Sequence, residues 1–191
     1  MKIVSFKHES GWTGGGVIRG DTIRRFPASG SDDVLAYIES GAMLPPGEEV
    51  PLNKVTLLAP VRRPPRIFGI GLNYREHAAE SKMTVQSVPT VFLKLSSSIT
   101  GPDSEVLLWP DATQPDYEAE LAVVIGKPGH RIAKENWREH VFGYTIVNDV
   151  SAREFDFARC QCPRSRWSSS HPAITIAEDS GRDQLPAAFR Y

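Results

Sequence analysis

Apolar and polar residues alternate along much of this chain, and a period of two is the mark of strands with one buried face. Residues 2–7 alternate well enough for a first strand, and Val17-Ile18-Arg19-Gly20-Asp21-Thr22-Ile23 reads as strand, tight turn, strand. Gly14-Gly15-Gly16 before it is expected to form a turn or bulge. It is not a phosphate loop, because no Lys-Ser/Thr pair or helix start comes after it. A helical period then appears. Ser31 can N-cap a short helix with Val34, Leu35 and Ile38 on its apolar face; Gly41 ends it and Pro45-Pro46 prevents its resumption.

Pro60 and Pro64-Pro65 punctuate the chain. The expected organisation is a small β-rich unit over residues 1–62 and a larger one over 63–191. In the second, residues 66–72 predict a buried strand whose glycines permit close approach of a backbone or ligand. Arg75 to Lys82 predicts a polar helix, and residues 89–95 a further strand ending near Lys94. Val106 to Trp109 reads as a short strand. Tyr117 to Gly126 is a strand with Leu121, Val123 and Ile125 directed into a core. Lys134 to Phe142 predicts a helix with Trp137 and Val141 inward and Gly143 as its cap. Tyr144 to Val147 is a strand ending at Asn148-Asp149, ahead of a helix opening at Ser151. The fold class expected is mostly β (α+β).

Several positions in this pattern carry candidate chemistry. Glu118 and Glu120 share a strand face roughly 7 Å apart. Such a pair is either two solvated acids or a set of hard oxygen ligands for Mg²⁺, Mn²⁺ or Ca²⁺. His77 and Glu80 are three apart on the expected helix, as an incidental ion pair or as a general-base pair. Lys94 marks an exposed strand end or reaches an anionic substrate. Asp149 suits either a metal or an N-cap. Arg153, one turn on, can pair with Asp149 or grip a substrate carboxylate in bidentate fashion.

Composition narrows the function classes. The chain has 191 residues with a formal net charge of -1, which gives no electrostatic case for nucleic acid or an anionic membrane. No apolar run reaches the length of a membrane span. The first residues are too soon charged for a signal peptide. The two cysteines, Cys160 and Cys162, are too close for a good disulfide, so reduced thiols and a cytoplasmic setting are expected.

Taken together, the motifs from Pro64 to Arg159 resemble the fumarylacetoacetate hydrolase family. They are Gly69-Ile70-Gly71-Leu72-Asn73-Tyr74 with His77, then Phe92-Leu93-Lys94, then Asp116-Tyr117-Glu118-Ala119-Glu120-Leu121 with Val124-Ile125-Gly126-Lys127, and last Gly143-Tyr144 with Asn148-Asp149-Val150-Ser151-Ala152-Arg153. The resemblance implies a barrel-like roll of mixed sheets, paired as a homodimer, behind a small N-terminal domain. It implies Mg²⁺ or Mn²⁺ held by Glu118, Glu120 and Asp149, a His77–Glu80 acid/base dyad, and Arg153 on the substrate's carboxylate. It further implies a small-molecule 2-oxo or 1,3-dioxo acid substrate. The first activity implied is hydrolysis of a C–C bond in an acylpyruvate. Hydration, isomerisation or decarboxylation in aromatic catabolism is the alternative, and a non-catalytic remnant the third.

The resemblance has two departures. Asp156 stands where the family commonly has Gln, and Ser168-Ser169-Ser170-His171 comes after Trp167 where a Gly-Lys-Ser/Ala-Phe-Asp segment is usual. The tail from Cys160 reads as unrelated to the family, as a truncated or frameshifted product would.

Overall fold

A computed structural model describes residues 1–28, 33–43, 45–71, 73–74, 79, 88–108, 110–153 and 173–175 of the chain. The architecture is mostly β, and every strand pairing among the described residues is antiparallel.

The first sheet has five strands: β1 (Ile3–His8), β2 (Thr13–Arg19), β3 (Thr22–Arg25), β4 (Glu49–Pro51) and β5 (Val55–Leu58), in the order β4-β3-β2-β1-β5. Val4, Phe6, Ile23 and Val50 form one buried cluster. Helix α1 (Asp33–Glu39) covers the sheet through Val34, Tyr37 and Ile38, which join Val17 and Phe26 in a second cluster. As expected, β2 and β3 meet in a two-residue turn, with Gly20 at a φ of 57°. Gly41, at a φ of 69°, succeeds the helix.

The glycine triplet departs from expectation. It lies within β2, not at a turn. Packing explains this: a Cβ on Gly15 would stand 2.8 Å from Val34 Cγ2, and one on Gly16 2.5 Å from the Arg24 carbonyl oxygen. The missing side chains let the helix and the neighbouring strand close onto β2.

A two-stranded sheet pairs β6 (Ile67–Gly71) with β7 (Thr90–Lys94). β6 is not the buried strand expected, since Phe68 is 58% exposed and its cross-strand neighbour Leu93 67%. The residues 106–108 form no strand, and Leu107 lies largely exposed. A third sheet has the order β12-β10-β9, with β9 (Ala119–Ile125), β10 (Val141–Asn148) and β12 (Ala173–Thr175). The segment Lys134–His140 is a 3-10 helix with Trp137 exposed, and Gly143 lies inside β10. The chain turns extended at Val141 because β10 there takes β9 as its partner.

β9 also turns its faces the other way round from expectation. Val123 and Ile125 point outward, whereas Val124, with Phe142, packs on the α1 cluster. The ring of Phe142 meets that of Tyr37 edge-on at 6.1 Å. Val124 and Glu120 share parity on β9, so the face that seats the strand on the first sheet also carries the acid. Finally β8 (Pro115–Asp116) pairs with β11 (Ser151–Ala152), so Ser151 is extended and opens no helix.

Candidate active site

The register of β9 against β10 gathers the acidic residues at one end. Asn148 stands opposite Ala119 and Val147 opposite Glu120. One step further, the Asp149 N–H donates to the Glu118 carbonyl at 2.8 Å, and the Asn148 side-chain oxygen accepts from the Glu118 N–H at 3.1 Å. Backbone pairing alone therefore makes Glu118 and Asp149 neighbours, with Glu120 one pleat along. The β8–β11 pair continues the pattern and sets Asp116 opposite Ser151.

Lys94 enters from the end of β7, in the two-stranded β6–β7 sheet. Its ammonium ion-pairs with the Asp149 carboxylate, and both side chains are largely buried. Arg153 donates through Nε and Nη2 to Asp116 Oδ2, both at 2.9 Å, and its Nη2 lies 3.2 Å from Glu118 Oε1. Ser151 donates its hydroxyl to that same Glu118 oxygen at 2.8 Å. In place of the expected Arg153–Asp149 pair, Arg153 takes Asp116 and Glu118, while Lys94, expected at an exposed strand end or on a substrate, takes Asp149. The helical spacing from Asp149 to Arg153 gives way because residues 151–152 are extended.

Half-buried Glu120 has its carboxyl pushed above the usual range by burial first, then by the charges of Asp149 and Glu118; Lys94 opposes the shift. Tyr74, from the Gly-rich motif, accepts the Leu121 N–H at 3.2 Å and so caps the outer edge of β9 beside Glu120.

Of the sequence-predicted residues, Glu118, Glu120, Asp149, Arg153 and Lys94 come together, whereas His77 and Glu80 lie outside the described residues. Asp116, Ser151, Asn148 and Tyr74 have no role that sequence reasoning assigns. The alternation 116, 118, 120 is a signal for Asp116; the others depend on backbone pairing that no local pattern reveals.

As placed, no group of three His, Cys, Asp or Glu side chains among the described residues is close enough to hold a metal ion. Lys94 and Arg153 draw Asp149 and Glu118 to themselves. The donor set nonetheless fits a hard divalent cation. It is all carboxylate oxygen. Four acids (Asp116, Glu118, Glu120, Asp149) face two cations, and the Glu120 carboxyl is raised by its burial first and by Asp149 and Glu118 after that.

Known proteins share this arrangement of motifs. Residues 66–177 match the family described as fumarylacetoacetate (FAA) hydrolase C-terminal, and residues 1–60 match the one described as Rv2993c-like, N-terminal. The human mitochondrial oxaloacetate tautomerase FAHD2A is 44% identical over 110 residues, covering 58% of this chain and 35% of the relative. The chain thus spans only about a third of that relative's length. An uncharacterized protein from Mycobacterium abscessus superposes with a TM-score of 0.73 at 30% identity, covering 94% of this chain and 68% of that one. Maleylpyruvate hydrolase from Sphingobium, solved with manganese(II) and pyruvate, gives 0.68 at 25% identity, covering 96% and 69%. With more than half its residues matched to the one description and its fold shared with these structures, the chain belongs to the fumarylacetoacetate hydrolase family.

Proposed function

We propose that this chain acts on a 2-oxo or 1,3-dioxo acid by way of its enolate, with a divalent cation, Mg²⁺ or Mn²⁺, held by Glu118, Glu120 and Asp149. The observation that carries this reading is the meeting of those acids with Lys94 and Arg153 at one end of β9 and β10. When bound, the cation supplies positive charge beside the 2-oxo group, which favours enolate formation. Arg153, held in place by Asp116, grips the substrate carboxylate. His77, oriented by Glu80, takes a proton from water, and the hydroxide adds to the distal ketone of an acylpyruvate. The C–C bond then breaks and pyruvate leaves as its enolate, which is protonated.

A second outcome is favoured by the human relative named a tautomerase. There the same base moves a proton between carbon and oxygen and no water adds. Turnover of acetylpyruvate against tautomerisation of oxaloacetate, each with Mn²⁺ and with chelator, separates the two. Metal-independent turnover of either, or full activity in Glu118→Gln/Glu120→Gln, would sink the reading.

We further propose a homodimer in the cytoplasm. Support for pairing comes from the outward apolar residues Phe68, Leu93, Val123 and Ile125. No helix among the described residues is long and apolar enough to cross a membrane.

A further inference from the structure

We infer that Lys94 is the resident counter-cation of the acid cluster: it holds Asp149 in the metal-free protein and releases it when a divalent cation binds. The inference rests on the metal reading above.

The geometry delivers Lys94 by a built route. Phe92 lies two residues earlier on β7, on the same face, opposite Gly69 of β6. Its ring covers Gly69 so closely that a Cβ there would come within 2.2 Å of a ring atom. The ammonium of Lys94 sits 5.8 Å from the centroid of that ring. The glycine of the Gly-Ile-Gly motif thus lets Phe92 lie flat, and the strand then carries Lys94 across to a carboxylate 55 positions away in the chain. The side chains of Lys94 and Asp149 are only 13% and 8% exposed, so the pair is largely shielded from water.

A divalent cation competes for the same carboxylate. It carries twice the charge of an ammonium and takes six or more oxygen ligands. Two cations on one carboxylate at contact distance repel each other strongly where water is scarce. Metal entry therefore expels Lys94 from Asp149. The expelled ammonium stays on its strand beside the cluster, where an anionic substrate arrives. Lys94 is in this way both the partner of Asp149 seen in the structure and the substrate-binding lysine expected from sequence, in two successive states. The metal must then bind first and the anion second.

The test uses Mn²⁺ itself, with bound and free ion distinguished by electron paramagnetic resonance. Lysines are acylated with and without Mn²⁺ and read by mass spectrometry. In chelator, Lys94 should react about fivefold or more slowly than exposed Lys54 and Lys127. Saturating Mn²⁺ should raise its rate about fivefold and leave those two unchanged. Lys94→Met should bind Mn²⁺ about tenfold more tightly, because no occupant must be displaced. Bound Mn²⁺ with Lys94 still protected, or a Lys94→Met protein of unchanged or weaker affinity, overturns the exchange and leaves the metal reading standing. Binding by Lys94→Met alone supports the exchange in its strongest form. If neither protein binds Mn²⁺, the metal reading falls and the exchange with it.

Discussion

Glu120 is the most electrostatically loaded residue of the cluster, and it makes a prediction about pH. Its folded-state pKa is raised, by burial and by two neighbouring acids, above its ordinary 4.5. The stability tied to it is present below 4.5 and is lost as pH rises through the raised folded value. Metal-free Glu120→Gln cannot ionise there. Between pH 4.5 and neutrality its melting temperature should therefore fall less than that of the parent protein; parallel curves would show that the carboxylate is not under strain. Asp116 acts one residue further out, through Arg153. Asp116→Asn should raise KM about tenfold with kcat within about twofold, because a guanidinium that loses its charged anchor binds a carboxylate less well. A change in kcat alone would place Asp116 elsewhere. Gly16 is a purely structural residue. A methyl there stands 2.5 Å from a carbonyl oxygen, and Gly16→Ala should cost about 1–3 kcal/mol, read as a lower urea midpoint at constant slope.

Among the elements, legibility tracks the range of the forces involved. Strands β1, β7 and β10, the β2–β3 turn and the α1 face are readable, because period and turn chemistry are local. Glu118, Glu120, Asp149, Arg153 and Lys94, which lie together in the structure, stand out in the sequence because the motifs hold them at fixed spacing. What fails depends on the partner. Val123 and Ile125 look like core residues and face outward; Val124, between them, meets the α1 cluster. The segment Lys134–His140 has helical polarity, yet pairing with β9 claims the chain from Val141. Arg153 finds Asp116 because β8 and β11 pair, and neither two-residue strand has a sequence signature. The edge of β9 offers an element-level test. Tyr74→Phe removes the acceptor for the Leu121 N–H and should cost about 1 kcal/mol, with faster hydrogen exchange at Leu121 and not at Val4 in the first sheet.

At the scale of the whole molecule, the outward faces of β6–β7 and β9 leave large apolar side chains exposed: Phe68, Leu93, Val123 and Ile125. Sedimentation should show concentration-dependent self-association, and Val123→Thr with Ile125→Lys should weaken it at little cost to folding, since both side chains are already exposed. Equal sedimentation of the two proteins would move the contact elsewhere. A small feature sets a limit on motion in the remainder. The hydroxyl of Ser5, buried mid-strand in β1, donates to the Pro60 carbonyl at 2.7 Å. The chain is thus moored to the first sheet, one strand in from its β5 edge, at the very proline where it departs. A protease seeking a joint between the first sheet and the rest of the chain should find the bond after Pro60 shut, and should cut other exposed loops before it.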